Sequence, residues 1–177
     1  DDMNNVVIYK PAAPGYENAP TVILQGHMDM VCAKKPEVEH DFTKDRLKLV
    51  VKDGFLSAEG TTLGGDDGIA VAYGLALLDS TDLPHPALEV VFTVDEETGL
   101  LGAEGFDCSL LEGRRMINLD SEKEGCLWVS CAGGIAGNSY LPVQRVEASG
   151  RKVSVKICGL TGGHSGAEIH KSRANAN

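Results

Sequence analysis

The sequence lacks any apolar run approaching the roughly 18 residues needed to span a membrane. It has only five cysteines, an odd number at irregular spacing without a CxxC pair, which excludes a disulfide framework and a four-sulfur zinc knuckle. Basic residues are also few: 16 Lys and Arg against 26 Asp and Glu give a formal net charge of −10. Such a surface repels phosphate backbones, so we expect no nucleic-acid partner. Together with polar residues 1–5, unlike a signal peptide, these features predict a cytoplasmic protein with reduced thiols.

The remaining composition is that of an α/β protein rich in turns. With 177 residues, 42% of them hydrophobic, the chain is long enough for one domain, or for one domain and part of another. Strands are predicted at 6–9, 21–25, 47–58 (a hairpin around Asp53-Gly54), 88–94 and 115–119, and helices at 66–80 and 101–111. Because strands alternate with helices, we expect a mixed, mostly parallel sheet covered on both faces.

The alternation breaks at CAGG, residues 131–134, and there we place a domain boundary. A first domain would cover residues 1–133, and residues 134–177 would begin a second one. Further strands are predicted at 125–130 and 152–159, and a helix at 165–177, with Trp128 in the core.

Four polar clusters follow predicted strands or open the main helix. They are His27 with Asp29, Asp66 with Asp67, Glu96 with Glu97, and Asp120. Open α/β sheets bind ligands at the carboxyl ends of their strands. Burying so many unpaired carboxylates there costs several kcal/mol for each charge, and a shared divalent cation removes that cost. Imidazole with carboxylate ligands favours zinc, manganese or cobalt over calcium.

Each cluster also has an ordinary structural interpretation. A His-x-Asp pair is usually a surface or hydrogen-bonded core pair, and Asp66-Asp67 could cap a helix. Glu96-Glu97 and Asp120 could lie in solvated loops. It is the recurrence of all four clusters at the same kind of position that favours a metal site.

Several blocks resemble, in order and spacing, the two-zinc peptidase family that includes peptidase T, carnosinases and aminoacylases. They are QGHMDMV at 25–31, GTTLGGDDGI at 60–69, DEETG at 95–99, NLDSE at 118–122 and CAGG at 131–134. Within the family the likeness is strongest to aminoacyl-histidine dipeptidases (peptidase D). The wider family usually has Lys two positions after the bridging Asp; Gly68 at that position is typical of this branch.

The resemblance implies a role for each matching residue. His27 and Asp120 would hold one zinc ion, Glu97 would hold the other, and Asp66 would bridge the two. Asp29 would support catalysis from behind His27 by fixing the orientation and tautomer of the imidazole.

The implied reaction is hydrolysis of the peptide bond of Xaa-His dipeptides. A water molecule shared by two zinc ions loses its proton near neutral pH and attacks the carbonyl group. Glu96 would accept that proton as general base and then deliver it to the leaving amine.

The resemblance also implies a three-layer catalytic domain in residues 1–133, followed by the start of an α+β lid, through which the family forms homodimers. In GGHSG, residues 162–166, His164 would contact the substrate; the alternative is a tight turn with Ser165 capping a helix. The family takes a second-zinc His far along the chain, and no block here matches it. We therefore expect an incomplete chain that holds the second zinc poorly and is inactive alone.

Three alternatives remain to be weighed. The same scaffold could carry an N-acyl amino acid deacylase, which substrate assays separate from a dipeptidase. A non-catalytic dimerisation module is a second alternative, although such a module has no need of Glu96. A dinucleotide-binding domain is excluded because no GxGxxG follows a strand.

Overall fold

The computed structural model describes residues 1–121, 123–131, 133, 135, 137–147, 149–162 and 169–173. The chain forms two compact units, Asp1–Lys123 and Glu124–Asn177. The predicted boundary near Gly134 stays a prediction. Among the described residues, no helix is both long and apolar enough to cross a bilayer.

A four-stranded mixed sheet organises the first unit. In chain order its strands are β1 (Val6–Lys10), β2 (Val22–His27), β5 (Leu88–Thr93) and β6 (Arg115–Asn118), and their spatial order is β1-β5-β2-β6. β5 and β6 both run parallel to β2, whereas β1 is antiparallel to β5. The prediction of a mixed, mostly parallel α/β sheet is confirmed.

The core lies between the central strands and helix α1 (Gly65–Asp79). All six residues of β5, the polar Glu89 and Thr93 among them, are buried, as expected for a strand covered on both faces. Leu24, Val90 and Phe92 form the buried cluster, against which α1 packs Val71, Leu77 and Leu78. At the helix end, the Lys10 ammonium group donates to the carbonyl oxygens of Leu77 and Ser80, at 2.6 and 2.5 Å, so that β1 caps the free carbonyls of α1.

A separate hairpin follows the sequence prediction. β3 (Leu49–Lys52) and β4 (Phe55–Ala58) pair antiparallel. The two linking residues, Asp53 and Gly54, have φ of 52° and 81°, which is the left-handed geometry that Asp-Gly favours in two-residue hairpins.

Other predictions of local structure were wrong in part. The predicted helix over 101–111 is a short α2 (Leu101–Glu104) followed by a 3₁₀ turn, Cys108–Leu110. The Asp107 side chain accepts a hydrogen bond from the Ser109 backbone N–H, and this local bond replaces a helical one.

In the second unit, residues 125–130 and 152–159 form no strands in the part of the chain that is described, because no neighbouring segment pairs with them. Trp128, predicted to be buried, is 66% exposed. The predicted helix over 165–177 falls mostly outside the described residues, which include the 3₁₀ turn Ile169–Lys171.

Candidate metal centre

The predicted site residues of the first unit meet at one edge of the sheet. Because β2, β5 and β6 are parallel, their carboxyl ends lie side by side. β2 ends at His27, and the segments after β5 and β6 carry Glu96, Glu97 and Asp120. The start of α1 brings Asp66 and Asp67 to the same edge. Such an edge is where open α/β sheets place their ligands.

His27 lies at the centre of this group and is only 1% exposed. Its Nδ1 is 3.1 Å from the Asp29 carbonyl oxygen and 3.3 Å from the Asp29 carboxylate. Its Nε2 is 3.1 Å from Asp66 Oδ1 and 3.9 Å from Glu96 Oε2. The contacts to Nδ1 leave Nε2 directed at the carboxylates on the other side of the ring.

The pKa of His27 is raised by these neighbours. Burial alone would lower the pKa, since it disfavours the charged imidazolium. The hydrogen bond to Asp66 and the negative charges of Asp120, Asp29 and Glu96 outweigh that effect. One imidazole therefore faces an excess of negative charge.

Asp29 connects His27 to the segment that carries the two glutamates. Its carboxylate accepts the backbone N–H groups of both Glu96 and Glu97, each at 3.1 Å. Burial by itself would raise the pKa of Asp29, but these hydrogen bonds favour the carboxylate form and bring the pKa below its ordinary value. Asp29 is thus an ionised anchor for the Glu96-Glu97 pair as well as a neighbour of the imidazole.

Among the described residues, two groups of side chains bring metal-ligand atoms within 4.8 Å of one another. One consists of His27, Asp66 and Glu97, and the other of His27, Asp67 and Asp120. Each of the four residues predicted as ligands belongs to at least one of these two groups. One imidazole nitrogen with carboxylate oxygens is a donor set that suits zinc, manganese or cobalt.

Glu96 lies beside both groups with a partly exposed side chain. Burial raises the pKa of Glu96, and the nearby charge of Asp120 raises it further, with smaller contributions from Glu97 and Asp66 against the opposing effect of His27. A carboxylate whose pKa is shifted toward neutrality is better suited to exchange a proton.

Asp67 is the residue of the site to which sequence reasoning gave no role. Its side chain is 1% exposed, and Oδ2 accepts the His27 backbone N–H at 3.2 Å. Burial raises the pKa of Asp67, against the hydrogen bond from His27. The peptide bond between Asp66 and Asp67 is cis, and nothing in the sequence indicated that geometry. The only available signal was the adjacency of two acids at a helix start.

Gly26 makes room for Asp67. A Cβ atom at position 26 would lie 2.4 Å from the Ala70 Cβ and 2.5 Å from Asp67 Oδ2, too close for any side chain. The C-terminal end of β2 can therefore approach α1 this closely only with glycine at position 26. His164, the predicted substrate contact, lies outside the described residues.

Comparisons with known proteins agree with this geometry. Residues 23–131 match the family described as peptidase family M20/M25/M40. The chain is 43% identical over 179 residues to the cytosol non-specific dipeptidase of Escherichia coli, a match that covers all of this chain and 37% of the relative. The chain spans about a third of the length of the curated relatives it matches.

Solved structures of peptidases are also similar to this chain. The aminoacylhistidine dipeptidase of Vibrio alginolyticus superposes with a TM-score of 0.69 at 46% identity, over 71% of this chain and 26% of that one. An aminopeptidase PepT from Bacillus cereus superposes with a TM-score of 0.52 at 29% identity, over 67% of this chain and 30% of that one. The similarity to both covers the greater part of this chain.

Proposed function

The chain belongs to peptidase family M20/M25/M40, and we propose that it carries the metal site and the proton-transfer glutamate of a metal-dependent dipeptidase. The observation that carries this proposal is the convergence of His27 with two groups of carboxylates at the carboxyl ends of three parallel strands. The named activities of the similar proteins, a non-specific dipeptidase and an aminoacylhistidine dipeptidase, point to dipeptides as substrates, Xaa-His dipeptides among them.

The donor set fits zinc. Nε2 of His27 faces carboxylate oxygens. The pKa values of buried Asp67 and of partly exposed Glu96 are raised because their charges are poorly compensated, and a divalent cation would compensate them. We assign His27 and Asp120 to one ion and Glu97 to a second, with Asp66 shared. The grouping of His27 with Asp120, and of Asp66 with Glu97, supports the division of these ligands between two ions. The sharing of Asp66 rests on the family resemblance, because Asp66 and Asp120 belong to different groups.

Bound zinc supplies Lewis acidity, polarising the scissile carbonyl group and lowering the pKa of water. The protein's own residues then handle the proton. The Glu96 carboxylate, 3.9 Å from His27 Nε2, accepts it from the attacking water and returns it to the nitrogen of the leaving amine. Asp29 keeps Glu96 in place through the backbone N–H group and keeps the imidazole of His27 oriented.

The test is an assay of the purified full-length protein with Xaa-His dipeptides, other dipeptides and N-acetyl amino acids, with added zinc or with a chelator. We expect zinc-dependent release of free amino acids from dipeptides and none from N-acetyl amino acids. A protein that binds zinc yet leaves every dipeptide intact would refute the proposal. Preference for N-acetyl amino acids would instead support a deacylase on the same scaffold.

Three further assignments belong to the same proposal. His164 would contact the substrate, so that His164→Ala should raise KM more than it lowers kcat. Residues beyond about 134 would form a lid that mediates a homodimer, which light scattering of the purified protein tests. The name of the Escherichia coli relative and the five free cysteines support a cytoplasmic location, which cell fractionation tests.

A further inference from the structure

The two glutamates of the site lie on one compact loop, residues 94–102, between β5 and α2. The loop closes on itself at its base, where the Gly102 N–H donates to the Val94 carbonyl oxygen at 3.1 Å. Its tip is held by Asp29, which accepts the N–H groups of Glu96 and Glu97. The position of both carboxylates therefore depends on what holds the base and the tip.

Asn5 holds the base from outside the loop. Its Oδ1 accepts the Val94 backbone N–H at 3.1 Å, and its Nδ2 donates to the Gly102 carbonyl oxygen at 2.9 Å. The second Nδ2 hydrogen goes to the Asp1 carboxylate at 2.8 Å. Asn5 is 2% exposed, so water does not compete for these bonds. One side-chain amide thus connects Val94, the first residue of the loop, to Gly102, its last residue.

The fit at this contact is tight. A Cβ on Gly102 would lie 2.3 Å from the Val94 carbonyl oxygen and 2.6 Å from Asn5 Oδ1, so the three groups meet at closest approach. The loop also contains two left-handed residues with side chains, Asp95 at φ 53° and Leu100 at φ 62°. Such conformations are unfavourable and persist only where surrounding contacts fix them.

We propose that Asn5 is a positioning residue for the Glu96-Glu97 pair, acting through the base of the 94–102 loop. The inference rests on the roles of Glu96 and Glu97 in the proposed function. Without the amide, the Val94 N–H and the Gly102 carbonyl oxygen lose buried partners, and the base is held only by the loop's own hydrogen bond from the Gly102 N–H to the Val94 carbonyl oxygen. The base then opens more often, so Glu97 and Glu96 occupy their positions near His27 for a smaller fraction of the time.

Glu89 provides a matched control. It is also buried, at 3% exposure, and its carboxylate accepts the backbone N–H groups of Glu112 and Gly113 at 2.9 and 3.1 Å. It therefore fastens a loop in the same way, but that loop precedes β6, at the opposite end of the sheet from the site. Glu89→Ala should destabilise the protein without disturbing Glu96 or Glu97.

The experiment compares Asn5→Ala, Asn5→Ser and Glu89→Ala in the purified full-length protein by hydrogen exchange, zinc titration and dipeptide kinetics. In Asn5→Ala we expect about tenfold faster exchange at the Glu96 and Glu97 amides and about tenfold weaker zinc binding. We expect kcat to fall about 10- to 100-fold with KM nearly unchanged. The shorter hydroxyl group in Asn5→Ser cannot span both Val94 and Gly102, so it retains at most one of the two hydrogen bonds and its effects should be intermediate.

The inference is overturned if Asn5→Ala behaves like Glu89→Ala, with a similar loss of melting temperature but wild-type exchange at Glu96 and Glu97, zinc affinity and kcat. Should Asn5→Ala fail to fold, Asn5→Ser is judged by the same criteria. If the wild-type protein cleaves no dipeptide, the proposed function fails. The exchange and zinc measurements still decide the role of Asn5.

Discussion

Replacing Asp29 with alanine should loosen the metal centre and destabilise the protein together. The substitution removes the acceptor for two backbone N–H groups, those of Glu96 and Glu97, and the carboxylate that faces Nδ1 of His27. Hydrogen bonds to a charged group contribute about 1.5–3 kcal/mol each. Because the Asp29 side chain is 21% exposed, water can replace part of each bond, and we expect a combined loss of about 2–4 kcal/mol.

Asp29→Asn provides an internal comparison. The amide keeps one oxygen for one N–H group and sets its NH₂ group against the other, so about half of the loss, or somewhat more, should remain. Urea unfolding of the zinc-free proteins measures the stability, and competition with a chelator measures zinc affinity, which should fall about 10- to 100-fold in Asp29→Ala. Asp107→Ala removes an exposed carboxylate that accepts hydrogen bonds from Ser109 away from the site, so it should cost much less stability than Asp29→Ala and leave zinc affinity unchanged.

The pH dependence gives a second check on Asp29. Because the pKa of Asp29 is lowered in the folded protein, its stabilising contribution is complete above the unfolded value of about 3.9 and is lost as pH falls through the folded value. The stability difference between wild type and Asp29→Asn should therefore be constant above about pH 5 and shrink below about pH 4. Unfolding free energies within about 0.5 kcal/mol of each other for wild type and Asp29→Ala, with equal zinc affinity, would refute this reasoning.

Three other outcomes are expected. Glu96→Gln should lower kcat at least about 100-fold while zinc content, measured by atomic absorption, stays at the wild-type level; surviving turnover would mean that another group transfers the proton. Gly26→Ala should cost about 1–3 kcal/mol or more in urea unfolding, because its Cβ would overlap Ala70 and Asp67, and an unchanged midpoint would contradict the packing described. Zinc-free protein should lose stability as pH rises, because the pKa values of His27, Asp67 and Glu96 are raised in the folded state. The folded state therefore binds more protons than the unfolded chain. Each residue's contribution to stability is complete below its unfolded pKa and is lost as pH rises through its folded pKa. Melting temperatures that rise with pH from 5 to 8 in the presence of chelator would oppose it.

The sequence predicted the parts of the site that follow from strand patterns. His27 and Glu97 lie within three residues of the ends of two runs, 21–25 and 88–94, that are typical of buried strands. Their meeting at one edge followed from the parallel order of those strands. The hairpin at Asp53-Gly54 was predictable because these two residues alone favour the left-handed geometry of a two-residue turn.

What escaped prediction depends on contacts between distant residues. Asn5 binds the backbone groups of Val94 and Gly102, which lie 89 and 97 positions further along the chain, and no local sequence pattern indicates these contacts. Asp67 is buried against the backbone of His27, which lies 40 positions earlier in the chain, and an Asp-Asp pair does not indicate that contact. Residues 125–130 and 152–159 have the composition of strands, but strand formation also requires a paired neighbour, which composition does not supply.

The carboxylates around His27 are chemically similar side chains, but their ionised forms are stabilised to different extents. Asp29 receives two backbone N–H groups and stays ionised, whereas Glu96 and Asp67 are penalised by burial and by neighbouring charge. A bound cation favours the ionised form of these penalised groups and the neutral form of His27, so zinc should stabilise the protein most above the pH at which His27 loses its proton. Ligand binding at a hundred times the dissociation constant contributes about 2.7 kcal/mol. Asp29, already compensated by the backbone, gains least from the metal and can hold the Glu96-Glu97 loop in place before the metal binds.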